Sequence, residues 1–403
     1  MQLGIDRIIQ NPQLRQPLMG KRLALAAHPA SVTSELQHSL DALMACGDLN
    51  ITAAFGPQHG MRGEKQDNMI ESDDYMDPFH HIPVFSLYGE VRRPTDVMLD
   101  TFDILLFDIQ DLGCRIYTYI TTLLYLLEGC ARTQKSVWIL DRPNPAGRPV
   151  EGLILEDGWQ SFVGGGRIVM RHGLTVAEMA KWFVQNHDLD VDLNIVEMQG
   201  YDPNAAPGYG WPTGLLSWVN PSPNASSLNM ARCYAGTVIL EGTTLSEGRG
   251  TTVPLEIMGA PGIDIPKILT AMTQTDHSWT QGARFRSCYF EPTFHKHAHT
   301  LCNGFQIHTD NPYYDHLAFK PYRVVILFLK VLRKLYPDYD LWSRHDYEYE
   351  LGKLPFDVIN GGTVIREWIE DVNAGTADLE NILREHESRW QQSIEALLLY
   401  KAP

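Results

Sequence analysis

The sequence lacks the features that mark disulfide-rich, membrane-spanning and nucleotide-binding proteins. Its six cysteines are scattered over 403 residues without a CxxC pair, which argues against a disulfide framework and against a structural zinc site. It contains no run of about 18 apolar residues of the kind that a membrane-spanning helix needs. Neither GxGxxG nor GxxxxGKS/T is present, so a nucleotide cradle has little support and no cofactor is predicted.

A basic surface is also missing. The formal net charge is −16, and the lysines and arginines form no cluster along the chain. Nucleic acids and anionic membranes are therefore not expected as partners. Residues 1–7 do not show the basic-then-apolar order of a secretory signal, so we predict a cytoplasmic protein with reduced thiols. The sequence leaves the oligomeric state open.

The chain is rich in short apolar runs. Hydrophobic residues make up 44% and charged residues 20%, which at this length provides cores for two domains. The runs alternate with helical patterns, and this alternation predicts a doubly wound parallel α/β sheet. We expect a Rossmann-like N-terminal domain over 1–226 and a smaller mixed α+β domain over 227–403, with the active cleft between them. The predicted strands of the first domain lie at 21–27, 51–55, 103–109, 136–140 and 193–198.

Helices are indicated by capping residues and by apolar spacing. Ser34 is predicted to cap a helix. Thr175, with Glu178 three residues later, matches a capping box, and residues 117–132 carry apolar side chains at helical spacing. In the second domain, strands are expected at 285–290 and 305–308, and a helix at 323–335.

Polar residues follow the strands at the ends where open parallel sheets bind ligands. The loop 56–63 combines three glycines and a proline with His59, which exchanges protons near neutral pH, and Arg62, which can grip a carboxylate. An ordinary turn with incidental polar residues is the alternative. Glu64 and Glu71 come next; in a crevice they would be acids, whereas on an open loop they would simply be solvated.

Two more polar clusters follow the next strands. The first consists of Asp108, Asp111, Arg115, Tyr117 and Tyr119. Its polar groups could bind sugar hydroxyls while the tyrosine rings stack on the sugar, although its charged residues could also form a structural ion pair. In the second, a loop stiffened by prolines presents Asp141, Arg142 and Asn144, and here a site and a purely structural role are equally well supported.

The segment 241–252 is a glycine-rich loop without apolar periodicity. It places Glu247 and Arg249 between glycines, an arrangement that fits a catalytic acid better than a phosphate site. Three histidines alternate at 295, 297 and 299. They could bind a metal from one face of a strand, but no matching acid or histidine accompanies them. A solvated segment is favoured, and no metal site is predicted.

Taken together, these motifs resemble the NamZ family of exo-β-N-acetylmuramidases, formerly a domain of unknown function. The resemblance extends from about residue 20 to the end of the chain. The motifs that carry it are GPQHG at 56–60, SLYG at 86–89, DIQDLGCRIYTY at 108–119, LDRPNP at 140–145, SFVG at 161–164, RHG at 171–173, PSPN at 221–224 and EGTTLSEGRGTT at 241–252.

The resemblance implies a Rossmann-like domain, a smaller C-terminal domain and a cleft between them. It also implies hydrolysis that releases N-acetylmuramic acid from the non-reducing end of peptidoglycan fragments, so the expected partner is a small glycan or muropeptide. The lactyl carboxylate of this sugar would explain a need for Arg62, Arg115 or Arg249 in an acidic protein. A cytoplasmic member would act on imported or recycled muropeptides.

Gln58 departs from the family pattern, which has glutamate in the GPQHG loop. An amide cannot donate a proton as an acid does, so either another carboxylate such as Glu64, Glu71 or Glu247 replaces it, or the chemistry differs. A sugar-binding protein without catalysis is therefore a second hypothesis. A metal-dependent hydrolase that uses His59, His172 and nearby aspartates is a third.

Glu247 leads the predicted catalytic residues, supported by His59 and Asp108, with Gln58 and Glu71 also in the site. The predicted substrate-binding residues are Arg62, Glu64, Asp111, Arg115, Tyr117, Tyr119, Asp141, Arg142, Asn144, His172, Asn224 and Arg249.

Overall fold

A seven-stranded sheet forms the centre of the N-terminal part of the protein. The computed structural model describes residues 1–63, 65 and 70–400. The strands of this sheet are β1 (Arg22–Ala27), β2 (Asn50–Gly56), β3 (Tyr75–Met76), β4 (Pro83–Ser86), β5 (Ile104–Asp108), β6 (Ser136–Leu140) and β7 (Leu193–Val196). Their order is β3-β4-β2-β1-β5-β6-β7, and neighbouring strands are parallel except for β3, which runs antiparallel to β4.

The buried strands explain why the sequence shows continuous apolar runs. All of β5 and nearly all of β1 are buried, and successive side chains point to opposite faces of a sheet. Leu23 and Leu25 therefore pack into the core on one face, while Ala24 and Ala26 pack into the core on the other. All five predicted strands form, with ends within two residues of the prediction, and the parallel α/β class is confirmed.

Two capping predictions concern the helices around this sheet, and one of them is correct. They are α1 (Gly4–Gln10), α2 (Pro12–Arg15), α3 (Ser39–Ala45), α4 (Asp96–Leu99), α5 (Tyr119–Arg132) and α6 (Val176–Asn186). The capping box of α6 is confirmed, because Thr175 accepts from the N–H of Glu178 while the Glu178 carboxylate accepts from the N–H of Thr175 at 2.8 Å.

The predicted helix cap at Ser34 is wrong. The helix begins further along, where the imidazole of His38 accepts a hydrogen bond from the backbone N–H of Leu40. The N–H of Ser34 instead donates to Asp6 at 3.0 Å. Leu36 has a left-handed φ of 65°, which a helix cannot contain. A suitable capping residue therefore stands in front of a turn and not in front of a helix.

The C-terminal part contains a smaller antiparallel sheet and a group of helices. The strands are β8 (Ile257–Ala260), β9 (Arg284–Phe290) and β10 (Cys302–His308), in the order β8-β10-β9. The helices are α7 (Leu228–Thr237), α8 (Ile265–Thr275), α9 (Pro321–Leu335), α10 (Pro355–Asn360), α11 (Val364–Glu370) and α12 (Thr376–Ile394). The predicted strands and the helix at 323–335 are confirmed. In the described ranges, no helix has the length and apolar character needed to cross a membrane.

The last described residues, up to Tyr400, pack back onto the N-terminal part. Trp390 of α12 donates from its indole to the backbone carbonyl of His172 at 2.9 Å. Tyr400 donates to the carboxylate of Asp141, at the end of β6, at 2.7 Å. These buried hydrogen bonds join the C-terminal segment to the part of the chain that follows β6.

Gly236 marks a close approach between α7 and α9. A Cβ at this position would lie 2.0 Å from the carbonyl oxygen of Pro321, so Gly236→Ala should lower the free energy of unfolding by about 3 kcal/mol through overpacking. Urea denaturation measures the change. Gly375→Ala is the control, because its Cβ would meet nothing closer than 3.7 Å. Equal stability of the two variants would contradict this account of the contact.

Candidate active site

A polar cavity lies where residues of both parts of the chain meet. Its walls come from the loop after β2, the start of α5, the segment 222–224, helix α7, and loops around 241–255 and 347–348. The lining residues are Gln58, His59, Ile116, Tyr117, Thr118, Val163, Ser222, Asn224, Met230, Tyr234, Glu241, Arg249, Leu255, Tyr347 and Glu348.

The loop after β2 presents Gln58 and His59 to this cavity because its backbone turns sharply. Gly60 has a φ of 82° and its N–H donates to Pro57 at 2.9 Å. His59 itself has a φ of 73°, a conformation that is strained for a residue with a Cβ. The imidazole Nδ1 of His59 lies 3.0 Å from the carbonyl oxygen of Lys65. The turn thus directs two polar side chains inward from the end of a buried strand.

Glu348 lines the cavity together with Gln58 and is held by a hydrogen bond. The hydroxyl of Tyr88 donates to its carboxylate at 3.0 Å. Burial raises the pKa of Glu348 to about 7; the nearby charge of Glu241 adds to this, while the hydrogen bond and Arg92 oppose it. A carboxyl group that keeps its proton near neutral pH thus lines the cavity.

Arg249 and Glu241 form a buried ion pair on the cavity wall. Nη2 of Arg249 donates to Oε1 of Glu241, and the hydroxyl of Tyr347 donates to Oε2 at 2.6 Å. The anionic neighbours Glu241 and Glu247 outweigh burial and raise the pKa of Arg249. Over the described part of the chain, Nε and Nη1 of Arg249 make no hydrogen bond. The guanidinium is therefore charged, buried and incompletely satisfied.

Glu247 supports this wall from behind. Its carboxylate lies 2.9 Å from Nζ of Lys296, 3.3 Å from Nε of Arg249 and 3.5 Å from Nδ1 of His295. Burial opposes its ionisation, but these neighbouring charges outweigh burial and lower the pKa of Glu247. The side chain is about 1% exposed and is not among the residues that line the cavity. Its environment favours a fixed counterion over a proton donor.

Asp108 and Asp141 stand at strand ends but point into the protein. Asp108 forms a two-pronged pair with Arg142, with Nε and Nη2 at 2.6 and 2.8 Å from its oxygens. Asp141 accepts from the hydroxyls of Thr175 and Tyr400. Burial raises the pKa of Asp141 to about 7, an effect that its hydrogen-bond donors oppose. Both aspartates hold loops and C-terminal segments against the sheet.

Several other predicted residues also hold backbone in place. Both Nη atoms of Arg115 are fully used, since they donate to four backbone carbonyls at 2.7–3.0 Å. Burial lowers the pKa of Arg115 to about 10. His172 lies 3.2 Å from Asp111, which accepts from the N–H of Gly113. Asn144 donates to two carbonyls and accepts from one N–H.

The remaining predicted residues lie outside the cavity lining. Glu71 sits on the surface with Arg92 and the hydroxyl of Tyr349, and Arg92 lowers its pKa. Arg62 pairs with Asp41 at 2.9 Å beside a separate surface depression. The hydroxyl of Tyr119 donates to the carbonyl of Pro221 at 2.8 Å. Glu64 lies outside the described residues.

The structure thus brings five of the predicted residues together. These are Gln58, His59, Tyr117, Asn224 and Arg249. Sequence reasoning missed Glu348 and did not single out Glu241, the first residue of the glycine-rich motif. For Glu348 a signal existed in the Tyr-Glu-Tyr-Glu run at 347–350, which is too polar for a core element. No group of three or more histidine, cysteine, aspartate or glutamate residues suited to a metal ion occurs in the ranges that the structure covers.

The chain is similar to known proteins along nearly its whole length. Family models described as exo-β-N-acetylmuramidase NamZ match residues 23–229 with the N-terminal model and 232–400 with the C-terminal model. The peptidoglycan β-N-acetylmuramidase NamZ of Bacillus subtilis strain 168 is 38% identical over 393 residues, covering 97% of this chain and 89% of the relative.

Two solved structures of DUF1343 family proteins from Bacteroides fragilis NCTC 9343 share the fold. The first has a TM-score of 0.85 and 28% identity over 99% of both chains. The second has a TM-score of 0.74 and 24% identity, covering 100% of this chain and 99% of the other. At that lower identity the second structure supports the fold alone.

Glu348→Gln should raise the stability of the protein at neutral and alkaline pH. The folded-state pKa of about 7 lies above the ordinary glutamate value of 4.5, so the folded protein binds the Glu348 proton more tightly than the unfolded chain does. The stabilising effect of that proton is complete below pH 4.5 and is lost as the pH rises through 7. Above pH 7 the variant should gain about 3 kcal/mol in free energy of unfolding relative to the natural protein.

Urea denaturation at several pH values tests this expectation. The groups facing Glu348 (Tyr88, Gln58, Glu241 and Arg92) stay unchanged in the variant. Glu350→Gln, which removes a carboxylate that pairs with Lys353 on the same loop, controls for the loss of charge alone. A stability difference between Glu348→Gln and the natural protein that does not vary between pH 4.5 and 8 would exclude the raised pKa.

Proposed function

Because this chain belongs to the NamZ family of exo-β-N-acetylmuramidases, we propose that it removes N-acetylmuramic acid from the non-reducing end of peptidoglycan fragments. The observation that carries the proposal is a buried, incompletely satisfied arginine on the wall of a small polar cavity. The cavity draws its lining from both parts of the chain and includes two glutamates, an arginine and three tyrosines beside other side chains.

Arg249 is suited to bind the lactyl carboxylate that distinguishes muramic acid from N-acetylglucosamine. A planar guanidinium pairs with a carboxylate through two parallel hydrogen bonds. The sequence suggests three arginines as binders of this carboxylate. Both Nη atoms of Arg115 donate to backbone carbonyls, and Arg62 pairs with Asp41 outside the cavity. Arg249 lines the cavity, and its Nη1 hydrogen-bonds to nothing in the described part of the chain.

The charges around Arg249 are consistent with an anionic ligand. Glu241 and Glu247 keep the guanidinium protonated and oriented. Lys296 lies 2.9 Å from Glu247, so a second cation balances the second carboxylate. Two cations then balance two anions in this buried cluster, and an incoming carboxylate does not meet a net negative wall.

The carboxyl groups of Glu241 and Glu348 supply the chemistry that glycoside hydrolysis needs. Such enzymes use a pair of carboxyl groups, of which one gives a proton to the leaving oxygen and the other acts as base or nucleophile. Both side chains line the cavity, and their environments differ. Glu241 accepts from a guanidinium and a tyrosine hydroxyl, whereas Glu348 accepts from the neutral hydroxyl of Tyr88.

The same proposal includes a role in recycling muropeptides in the cytoplasm. Its support is the state of the thiols, since all six cysteines lie in the described ranges and are free, as is usual in a reducing compartment. Four of them are buried, and burial raises the pKa of Cys114 and Cys130 to about 12. Buried thiols of this kind are inert packing groups.

The purified protein should release N-acetylmuramic acid from the disaccharide N-acetylmuramyl-β-1,4-N-acetylglucosamine. Mass spectrometry of the products provides the measurement, and N,N′-diacetylchitobiose, which has no lactyl group, is the control substrate that should remain intact. Stabilisation by N-acetylmuramic acid in thermal melting without any turnover would instead indicate a sugar-binding protein. Equal cleavage of both disaccharides would remove the muramic acid assignment.

Arg249→Lys should reduce the preference for muramic acid over N-acetylglucosamine. Lysine keeps the positive charge between Glu241 and Glu247 but loses the planar pair of donors, so kcat/KM on muramic acid glycosides should fall about 10- to 100-fold. Activity on N-acetylglucosamine glycosides should change much less. Arg62→Gln is the comparison variant and should keep the natural ratio of the two kcat/KM values. If Arg62→Gln alone changes that ratio, the carboxylate is bound elsewhere.

A further inference from the structure

We infer that Glu348 is the general acid of this cavity, the group that protonates the glycosidic oxygen as the bond to muramic acid breaks; the inference rests on the proposed function. Gln58, the residue beside it, carries an amide and cannot give up a proton in this way. Glu247 is buried behind Arg249 and paired with Lys296. Glu348 lines the cavity, and its carboxylate accepts from the neutral hydroxyl of Tyr88.

Glu348 is held at the cavity by Tyr88, whose hydroxyl donates to Oε2 at 3.0 Å. Gln58 lines the same cavity, and the hydroxyl of Thr118 donates to its Oε1 at 3.0 Å, which sets the orientation of the amide. The Gln58 amide also acts on Glu348 by lowering the pKa of that carboxyl group. The carboxyl group therefore has a neutral donor at the cavity wall.

The backbone around Glu348 supports a functional role. Glu348 and Tyr349 both have positive φ values, 46° and 69°, and two successive non-glycine residues rarely adopt this conformation. The loop is held on both sides, because Tyr347 donates to Glu241 at 2.6 Å and Tyr349 donates to Glu71 at 3.0 Å. The strained turn directs Glu348 inward.

The protonation state also suits an acid. Burial raises the pKa of Glu348 to about 7, helped by the charge of Glu241 and opposed by Tyr88, Arg92 and Gln58. General acids of glycosidases depend on such a raised pKa. At neutral pH a large share of the molecules therefore carries the proton before substrate binds.

The reaction balances with water as the co-reactant. Glu348 gives its proton to the glycosidic oxygen as the bond between that oxygen and C1 of muramic acid breaks. Water supplies a hydroxyl to C1, and its other proton returns to the carboxyl pair of Glu348 and Glu241. The products are free N-acetylmuramic acid and a glycan with one residue fewer, and the enzyme is restored.

The test compares leaving groups. Glu348→Gln should lower kcat/KM on the natural disaccharide by about 10²- to 10⁴-fold. On 4-nitrophenyl β-N-acetylmuraminide, whose phenolate leaves without a proton, the loss should be much smaller. The natural protein should lose activity as the pH rises through about 7, and this decline should be absent from Glu348→Gln on the nitrophenyl substrate. Glu348→Asp should retain part of the disaccharide activity.

Controls separate the outcomes. Glu350→Gln removes a carboxylate of the same loop that pairs with Lys353 and should keep the natural rates. If the natural protein cleaves neither substrate, the proposed function fails and this inference fails with it. If the natural protein is active and Glu348→Gln loses both substrates equally with an unchanged pH profile, Glu348 is structural. If Glu348→Gln keeps the disaccharide rate, the acid is another residue.

Discussion

The cavity depends on Arg249, a buried guanidinium held between two carboxylates. Glu241 binds one edge of it and Glu247 lies near another, while Lys296 neutralises Glu247 from the far side. A buried charge is costly unless it is paired, so these residues hold one another in place. Tyr347 also bonds to Glu241, which ties the loop carrying Glu348 to the same cluster. Removal of the Arg249 guanidinium would therefore disturb Glu348 as well as Glu241.

A second set of buried charged residues holds backbone segments together beneath the cavity. Asp108 and Arg142 pair at the end of β5 with both side chains nearly inaccessible, and Arg115 gathers four carbonyls from distant segments. Two of those carbonyls belong to residues 359 and 360, at the end of α10. The loops that form the cavity can be polar and irregular because these buried contacts fix the backbone beneath them.

Much of the fold could be predicted from the sequence, because a parallel sheet covered on both faces produces continuous apolar runs. The same reasoning correctly located polar residues at strand ends but could not tell which way they face. Asp108 and Asp141 look as reactive in the sequence as His59, yet their partners Arg142 and Tyr400 turn them into structural groups. Those partners lie 34 and 259 residues away along the chain, a separation that local patterns do not encode.

Glu348 shows why the rest could not be predicted. Its place in the cavity depends on left-handed backbone at 348 and 349, on tyrosines that bond in opposite directions, and on an amide at position 58. The polar run at 347–350 marks a loop, but it does not show which of its residues faces the cavity. Both the strained backbone and the buried neutral carboxyl group reduce stability, and a protein keeps such features where the surrounding contacts hold them and the reaction uses them. The least favourable local structure in the loop therefore lies where a proton must be held away from water and released to the substrate.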